Sequence, residues 1–384
     1  MSSAHRESTA RPLTIIELCL SQGRGGLEHY AADLVPDLSQ RGHRVIVVAR
    51  EDTDYCLRAG REPALTFRPH RYLPWAGARK LCALVKTTRA DAIHIHRSAD
   101  LPLAVMAKRC AGNRPALVYS RHMHITRDRR ASWPHRFMFR HVDRLLTITE
   151  QIAKAADRHL PILPERILAL PPGVNPGSPD ADCTTIRPPD TDFVAGCFSR
   201  VEPGKGQHEL IDAIFTLREH GIRAGAVFAG AVMDPAYDKR IRSHVEALEL
   251  GEVIRFLGTL EDARSTMACC DAVALPSVCE PLGLVLVEAM LMNVPVVATA
   301  AGGVLEFVDD GVTGLTYAAG DAQALTHQLH RLATEPNLKR TLARNGRSAA
   351  AKRFDRGKHL DRLEALLLEA AAERAKITHR DRAC

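Results

Sequence analysis

Residues 275–290 read LPSVCEPLGLVLVEAM, and this stretch indicates how the chain folds. A short apolar run ends at Leu275, a loop follows, and an apolar segment long enough for a helix begins near Pro281. Proline is favoured in the first turn of a helix, so we expect the helix to start there. A strand leading into a helix is the repeating unit of parallel α/β sheets, and it predicts an α/β fold here.

The same alternation of apolar runs and helical patterns continues on both sides of this stretch. In the second half it predicts four further strands, at 193–198, 224–229, 253–257 and 294–298. In the first half it predicts five, at 13–20, 44–49, 92–95, 116–120 and 145–148. Prolines and glycines concentrate between residues 171 and 189, which is typical of a linker.

These patterns predict two Rossmann-like, doubly wound domains that face each other across a cleft. We place the first domain at 1–175, a linker at 176–190, the second domain at 191–355 and a C-terminal helix at 356–384. Apolar residues at helical spacing between Asp361 and Ala375 suggest that this helix packs back towards the first domain. Ligands of open α/β sheets bind at the carboxyl ends of the strands, so we expect the site there.

The composition is that of an ordinary globular protein, with 46% apolar and 25% charged residues. Apolar runs are too short to span a bilayer and the first residues are polar, so we expect a cytoplasmic protein. The ten cysteines are scattered, apart from one adjacent pair, and form no CxxC motif. We therefore expect reduced, mostly buried thiols and no structural metal.

Two glutamates flank the start of the predicted helix, Glu280 before it and Glu288 within it. A continuous helix would separate them by roughly 12 Å, which exceeds the spacing of about 5–9.5 Å in glycosidase carboxylate pairs. The backbone amides of Gly283 and Leu284 would offer an anion site between them. This arrangement fits a nucleotide sugar, with the diphosphate in the middle. The alternative is a helix-capping glutamate and an unrelated helical one.

Two glycine-containing loops follow predicted strands. Residues 198–206 read FSRVEPGKG, and Arg200 and Lys205 could neutralise a diphosphate. The alternative is a solvated basic turn. Residues 23–28 read GRGGLE, in which Gly25 and Gly26 allow a phosphate or sugar to approach a helix start. This second loop is not a dinucleotide fingerprint, because Glu28 occupies the third glycine position.

Histidines and arginines cluster in the first half. His96 follows one predicted strand, and Arg121 and His122 follow another, so either histidine could face the cleft. Between Lys108 and Arg144 basic residues dominate and aromatic residues are interleaved. Such a region suits anionic lipid head groups, an anionic acceptor or nucleic acid. The alternative is a solvated basic helix face.

Taken together, these motifs resemble the family-4 retaining glycosyltransferases of the GT-B fold, the group 1 type. The resemblance rests on six features in the expected order: Gly25-Gly26, Pro172–Asn175, Arg200 with Lys205, Leu275–Ser277, Glu280-x7-Glu288, and Ala301–Leu315. It covers residues 13–354, and it implies that the domain at 1–175 binds the acceptor and the domain at 191–355 binds the nucleotide sugar.

The resemblance implies roles for individual residues. Glu280 would contact the hydroxyls of the donor sugar and Glu288 those of the ribose. The residues implied to contact the diphosphate are Arg200, Lys205, Gly283, Leu284, Gly25 and Gly26. The strand around Arg255 would contact the base. His122 would contact the donor sugar and the acceptor. Arg121 stands where this family more often has a small or apolar residue. The expected catalytic set is therefore Glu280, His122, Arg200 and Lys205.

The predicted function is retaining transfer from a nucleoside-diphosphate sugar to a hydroxyl of a cell-envelope glycan or glycolipid, of the lipopolysaccharide or exopolysaccharide type. No metal or other cofactor is expected, because the predicted donor site of the second domain has no DxD pair to hold a divalent ion. The basic region suggests peripheral attachment to the inner face of the cytoplasmic membrane. A GT-B epimerase or hydrolase is the alternative enzyme, and a nucleic-acid-binding protein is the other alternative, although we expect no nucleic-acid partner.

Overall fold

The computed structural model describes residues 11–23, 25–51, 53–67, 74–177 and 182–383. The chain divides into two compact units, Met1–Pro172 with Gly357–Cys384, and Gly173–Arg356. The first residues, 1–10, and residues 178–181 of the predicted linker lie outside the described part. The described residues that follow, from 182 to 190, belong to the second unit rather than to a separate linker.

The first unit contains a parallel sheet of seven strands in the order β3-β2-β1-β4-β5-β6-β7. The strands are β1 (Thr14–Cys19), β2 (Arg44–Arg50), β3 (Leu65–Phe67), β4 (Ala92–Ile95), β5 (Ala116–Arg121), β6 (Arg144–Thr147) and β7 (Ile167–Ala169). The helices are α1 (Gly26–Gln40), α2 (Asp54–Arg58), α3 (Pro74–Thr88), α4 (Leu101–Cys110), α5 (Trp133–Phe139) and α6 (Glu150–His159). Each pair of neighbouring strands is parallel, as the alternation predicted.

The second unit contains a parallel sheet of six strands in the order β10-β9-β8-β11-β12-β13. The strands are β8 (Phe193–Phe198), β9 (Ala224–Ala229), β10 (Ile254–Phe256), β11 (Ala272–Leu275), β12 (Val296–Thr299) and β13 (Leu315–Tyr317). The helices are α7 (Cys183–Ile186), α8 (Gln207–Glu219), α9 (Pro235–Ala247), α10 (Arg264–Ala268), α11 (Leu284–Leu291), α12 (Ala322–Thr334) and α13 (Pro336–Arg353). Two Rossmann-like units confirm the predicted fold class.

The last helix, α14 (Arg356–Ala383), packs within the first unit. Its buried side chains Leu363, Leu366 and Leu367 join the apolar core on the face of the sheet that α1 also covers. Burying a leucine side chain contributes roughly 1.5–3 kcal/mol. The first unit is therefore assembled from both ends of the chain.

Three short strands and one disulfide differ from the sequence-based expectations. The short strands β3, β7 and β13 were not predicted, because three residues are too few for periodicity alone to indicate a strand. The equally short β10 was predicted because it lies within the longer, mostly apolar run 253–257. The expectation that all cysteines are reduced was also wrong. Cys183 of α7 and Cys269 form a disulfide, although they are 86 residues apart in the sequence. Cysteine spacing alone cannot reveal such a pairing.

Candidate functional site

In the second unit, the loops that follow β8 and β11 are packed directly against each other. Gly206 has a φ of +70°, and a Cβ atom on it would lie 2.1 Å from the carbonyl oxygen of Pro276. The Val278 N–H donates a hydrogen bond of 3.0 Å to the Gly204 carbonyl. Gly206 is therefore required both for its backbone conformation and for the close approach of the two loops.

The loop after β12 wraps around the same backbone. The Gly303 N–H donates a 2.9 Å hydrogen bond to the Glu280 carbonyl. Cβ atoms on Gly302 and Gly303 would lie 2.1 Å and 2.0 Å from the carbonyl oxygens of Glu280 and Pro281. Three loops at the carboxyl ends of adjacent strands thus form one structure, at the place where α/β proteins bind ligands.

The two basic residues predicted for this site are paired with carboxylates. Lys205 Nζ donates to Glu280 Oε1 at 2.6 Å, and both side chains are largely buried. Arg200 Nη2 lies 2.9 Å from Glu202 Oε1, and the Arg200 side chain is 44% exposed. Arg200, Lys205 and Glu280 therefore lie on loops that contact each other. The two ion pairs were not predicted.

The helix expected to begin near Pro281 begins instead at Leu284. Gly283, the N-cap residue, has a φ of +82°, and this left-handed conformation ends any helical continuation towards Glu280. The premise of the 12 Å estimate, a continuous helix between Glu280 and Glu288, was therefore wrong. Glu280 lies in the loop, while Glu288 is half-buried in α11. Gly283 and Leu284 still occupy the helix positions whose amides have no acceptor within the helix.

A further residue that sequence reasoning missed is Gln207, the first residue of α8. Its Nε2 donates to the Arg200 carbonyl at 2.9 Å and to Ser199 Oγ at 3.0 Å. The side chain is buried. Gln207 therefore holds the backbone of the basic loop in place.

Arg255, the predicted base-binding position, lies in the edge strand β10. Its Nη1 donates to the Thr185 carbonyl at 2.5 Å. Thr185 belongs to α7, which lies in the segment expected to be a linker without regular structure. Contact between this region and a nucleobase stays a prediction.

In the first unit, Gly25 is the N-cap of α1 and Gly26 is its first residue. Glu28, two residues later, is buried, and the Ser21 hydroxyl donates a hydrogen bond to its carboxylate. A Cβ atom on Gly23 would lie 2.7 Å from Glu28 Oε1. The loop therefore folds over the Glu28 side chain, which explains why a glutamate stands where dinucleotide-binding proteins have a glycine.

His122 follows β5, and its imidazole is buried. Burial, together with the neighbouring His96, His94 and His359, brings the pKa of His122 well below its ordinary value. Burial and His94 also lower the pKa of His96, to about 4. Both imidazoles are therefore neutral at physiological pH.

A buried carboxylate, Glu17 of β1, connects two of the histidines. Its two oxygens each lie 2.9 Å from an imidazole nitrogen, of His94 and of His96. Burial alone would raise the pKa of Glu17, but the two histidines outweigh it and lower the pKa to about 2. Within the described part of the chain, this is the one cluster whose ligand atoms lie close enough to hold a metal ion. Its hydrogen bonds already occupy both carboxylate oxygens. A charged residue within the apolar segment TIIELC was the sequence signal for it.

The basic region is less uniform than the sequence suggested. Lys108 is fully buried and paired with Asp143, and burial lowers the pKa of Lys108 to about 8. Of the aromatic residues in the region, Trp133 is 77% exposed, whereas Phe139 is buried. Four exposed arginines of the region, Arg127, Arg130, Arg136 and Arg140, are called the arginine surface below.

Arg121 is held by local contacts. Its guanidinium donates to the Tyr119 hydroxyl at 3.1 Å and to the His124 carbonyl at 2.9 Å. It therefore supports the loop that carries His122.

No helix among the described residues is both long enough and apolar enough to cross a bilayer.

Two family models match the chain, one for each half. The model described as Glycosyltransferase Family 4 matches residues 24–178, and the model described as Glycosyl transferases group 1 matches residues 184–349. The sheets, the loops and these matches define a GT-B glycosyltransferase fold. The chain belongs to the family-4 glycosyltransferases.

Individual relatives agree with this assignment. The D-inositol 3-phosphate glycosyltransferase of Saccharomonospora viridis is 31% identical over 243 residues, which are 60% of this chain and 56% of the relative. The lipopolysaccharide core biosynthesis glycosyltransferase LpsE of Rhizobium meliloti is 30% identical over 154 residues, 40% of this chain and 43% of the relative. The chain thus spans about half the length of the curated relatives it matches.

Among solved structures, Anabaena Alr3699/HepE in complex with UDP-glucose is similar with a TM-score of 0.79 and 25% identity. The similarity covers 92% of this chain and 99% of that one. The same protein has also been solved with UDP. The likeness therefore extends over both units.

Proposed function

We propose that this protein is a retaining glycosyltransferase that moves a sugar from a UDP-sugar to a hydroxyl of a cell-envelope glycan or glycolipid. The observation that carries the proposal is the meeting of Arg200, Lys205, Glu280 and the start of α11 at one edge of the second sheet. The UDP-glucose bound by the similar Anabaena protein favours uridine as the base. The lipopolysaccharide enzymes among the relatives favour an envelope acceptor.

In the proposed reaction, the bond between the anomeric carbon and the diphosphate oxygen breaks. The acceptor hydroxyl forms the new bond from the same face, so the configuration is retained, and the hydroxyl proton leaves with the diphosphate. Most of the catalysis comes from stabilising the negative charge of the departing group. Arg200, Lys205 and the amides of Gly283 and Leu284 supply that stabilisation. Losing one such donor costs about 2.7–4 kcal/mol in the barrier.

In the proposed reaction, the Lys205–Glu280 ion pair breaks when the donor binds. A diphosphate attracts Lys205 more strongly than one carboxylate does, because it carries more charge. When the donor binds, Lys205 turns to the phosphate, and Glu280 becomes available to the hydroxyls of the sugar. Donor binding and the availability of Glu280 to the sugar hydroxyls are then coupled.

We propose that no metal ion is needed, because two side-chain cations and a helix start neutralise the diphosphate. Transfer should therefore continue in excess EDTA. Loss of activity in EDTA, restored by Mg²⁺ or Mn²⁺, would contradict the assigned roles of Arg200 and Lys205.

The test is nucleotide release from UDP-, GDP- and ADP-glucose, measured for the full chain and for Lys205→Met. We expect UDP-glucose to be preferred and Lys205→Met to lower turnover by about a hundredfold or more. Lys339→Met is the matched control, because Lys339 is a partly buried lysine of the same unit whose Nζ is also paired with a carboxylate, Asp271, at 2.8 Å. Equal activity of both variants would refute the proposed role of Lys205.

We also propose that the arginine surface, with Trp133, binds the anionic inner face of the membrane where a lipid-linked acceptor would reside. Each basic residue near an anionic surface contributes about 1 kcal/mol. Co-sedimentation with vesicles of neutral lipid, with and without phosphatidylglycerol, tests this. Charge reversal of Arg130 and Arg136 to glutamate should abolish binding to anionic vesicles. Equal binding to neutral vesicles would contradict the proposal.

A further inference from the structure

Tyr30 of α1 lies at the centre of three histidine rings in the first unit. Its ring centroid is 5.0 Å from that of His122, 5.9 Å from that of His96 and 5.5 Å from that of His359. Each of these contacts is edge-on. Movement of the Tyr30 ring would therefore disturb the packing of all three imidazoles.

The hydroxyl of Tyr30 contacts the C-terminal helix, and it also interacts with the Ser120 side chain. Tyr30 Oη lies 3.0 Å from His359 Nε2, and His359 Nδ1 lies 2.8 Å from the carbonyl oxygen of Pro171. A carbonyl can only accept, so His359 Nδ1 carries the hydrogen. In the neutral imidazole, Nε2 is then an acceptor, and Tyr30 donates its O–H to it. The hydrogen bonds run in one direction, from Tyr30 through His359 to Pro171.

His122 has little else to set its ring orientation. Its Nε2 is buried and has no hydrogen-bond partner among the described residues. A ring without that anchor is oriented by packing, and Tyr30 is the nearest aromatic ring to it. Whatever holds Tyr30 therefore also holds His122.

We propose that Tyr30 and His359 are positioning residues that orient His122 for the transfer reaction. This inference rests on the proposed function and on the role that the family resemblance implies for His122, which is contact with the donor sugar and the acceptor. Tyr30 and His359 touch neither substrate in this proposal. They act through the His122 ring, and a displacement of about 1 Å at such a group is enough to slow catalysis strongly.

The location of His359 gives the contact a second consequence. Pro171 lies next to the first point at which the chain leaves the first unit, and His359 lies just after the point at which it returns. The His359–Pro171 hydrogen bond therefore ties these two segments together within the first unit. The orientation of His122 depends on that tie being made.

Two variants remove the Tyr30–His359 bond from opposite ends. Tyr30→Phe keeps the ring and removes the hydroxyl. His359→Asn keeps a donor near the Nδ1 position, for Pro171, and removes the acceptor for Tyr30. Tyr55→Phe is the control, because the Tyr55 hydroxyl also donates one hydrogen bond within the first unit, to the Glu17 carbonyl at 3.1 Å, although Tyr55 is fully buried and Tyr30 only partly.

The first readout is kinetic, with UDP-glucose as donor and water as acceptor. We expect Tyr30→Phe and His359→Asn each to lower kcat by roughly three- to tenfold, the effect of one lost hydrogen bond. The dissociation constant of UDP should not change. The double variant should be no slower than the slower of the two single variants, because both remove the Tyr30–His359 bond. Tyr55→Phe, which also removes one hydroxyl, should lower the thermal midpoint by about as much as Tyr30→Phe does and leave kcat unchanged.

The second readout does not depend on catalysis. Diethyl pyrocarbonate acylates neutral imidazoles, and peptide mass spectrometry reports the rate at His122. Tyr30→Phe and His359→Asn should raise that rate by roughly three- to tenfold, and Tyr55→Phe should not. Unchanged His122 reactivity, or equal effects from Tyr55→Phe, would overturn the inference. A wild-type chain that turns over no UDP-sugar would refute the proposed function, while the labelling experiment would still decide whether Tyr30 and His359 orient His122.

Discussion

Gly206 and Gly204 provide a sharp test of how the donor loop is built. Both have a positive φ, +70° and +87°, so an alanine at either position meets the same backbone strain. That strain is roughly 1–2 kcal/mol. They differ in their surroundings: a Cβ atom on Gly204 meets nothing within 4 Å, whereas one on Gly206 would lie 2.1 Å from the Pro276 oxygen.

The expected difference follows from that distance. Ordinary contact begins at 3.4 Å, so Gly206→Ala must push the two loops apart by about 1.3 Å, the difference from 2.1 Å. This displacement would also stretch the hydrogen bond from Val278 to Gly204, worth about 1 kcal/mol. We expect Gly204→Ala to cost about 1–2 kcal/mol, and Gly206→Ala to cost about 4 kcal/mol or more.

The assay is thermal unfolding, combined with UDP binding by calorimetry. For a unit of this size, 1 kcal/mol corresponds to about 2–4 °C. Gly204→Ala should lower the midpoint by about 2–8 °C and Gly206→Ala by about 8 °C or more. UDP affinity should fall more than about tenfold only for Gly206→Ala. Equal losses from the two variants would refute the close packing of the loops.

Three further predictions concern charge. Glu202→Gln should tighten UDP binding by roughly two- to fivefold, because it releases Arg200 from a partly exposed ion pair; weaker binding would contradict this, and calorimetry decides. Glu288→Ala should mainly weaken UDP binding, whereas Glu280→Ala should mainly lower kcat with UDP-glucose. Equal, mild effects of the two variants in steady-state kinetics would indicate that both glutamates have only structural roles. Burial lowers the pKa of His96 to about 4, so its contribution to stability is complete above pH 6.5 and is lost as the pH falls towards 4. Between pH 7.5 and 4.5 this loss amounts to about 3 kcal/mol of stability. His96→Gln should therefore reduce the fall in unfolding midpoint over that range. An unchanged fall would contradict the low pKa assigned to His96.

The strands of both sheets could be predicted because each is a short apolar run between helical patterns. Parallel strands covered by helices on both faces must be apolar throughout, and this leaves a clear signal in the sequence. Strand β8 (Phe193–Phe198) was predicted with its observed bounds. The basic residues Arg200 and Lys205 could be predicted for a related reason, because loops after such strands are where ligands bind.

Contacts between distant residues could not be predicted in the same way. Lys108 was counted as part of a basic surface, yet it is buried against Asp143, because a charge pattern does not say which side chains face inward. The start of α11 was misplaced for a local reason. Pro281 is compatible with a first helical turn, but the packing of Gly302 and Gly303 against the preceding loop favours a left-handed Gly283.

The sequence by itself determined the alternation of strands and helices, the two-unit organisation and the loops that carry the charged residues. These follow from residues close together in the chain, whose periodicity and turn chemistry are local properties. Only the tertiary structure decided which charges are paired, which cysteines are joined and how His122 is held. Tyr30 and His359 are 329 positions apart. Their contact exists because α14 returns to the first unit and buries its leucines there, and a local pattern carries no information about that return.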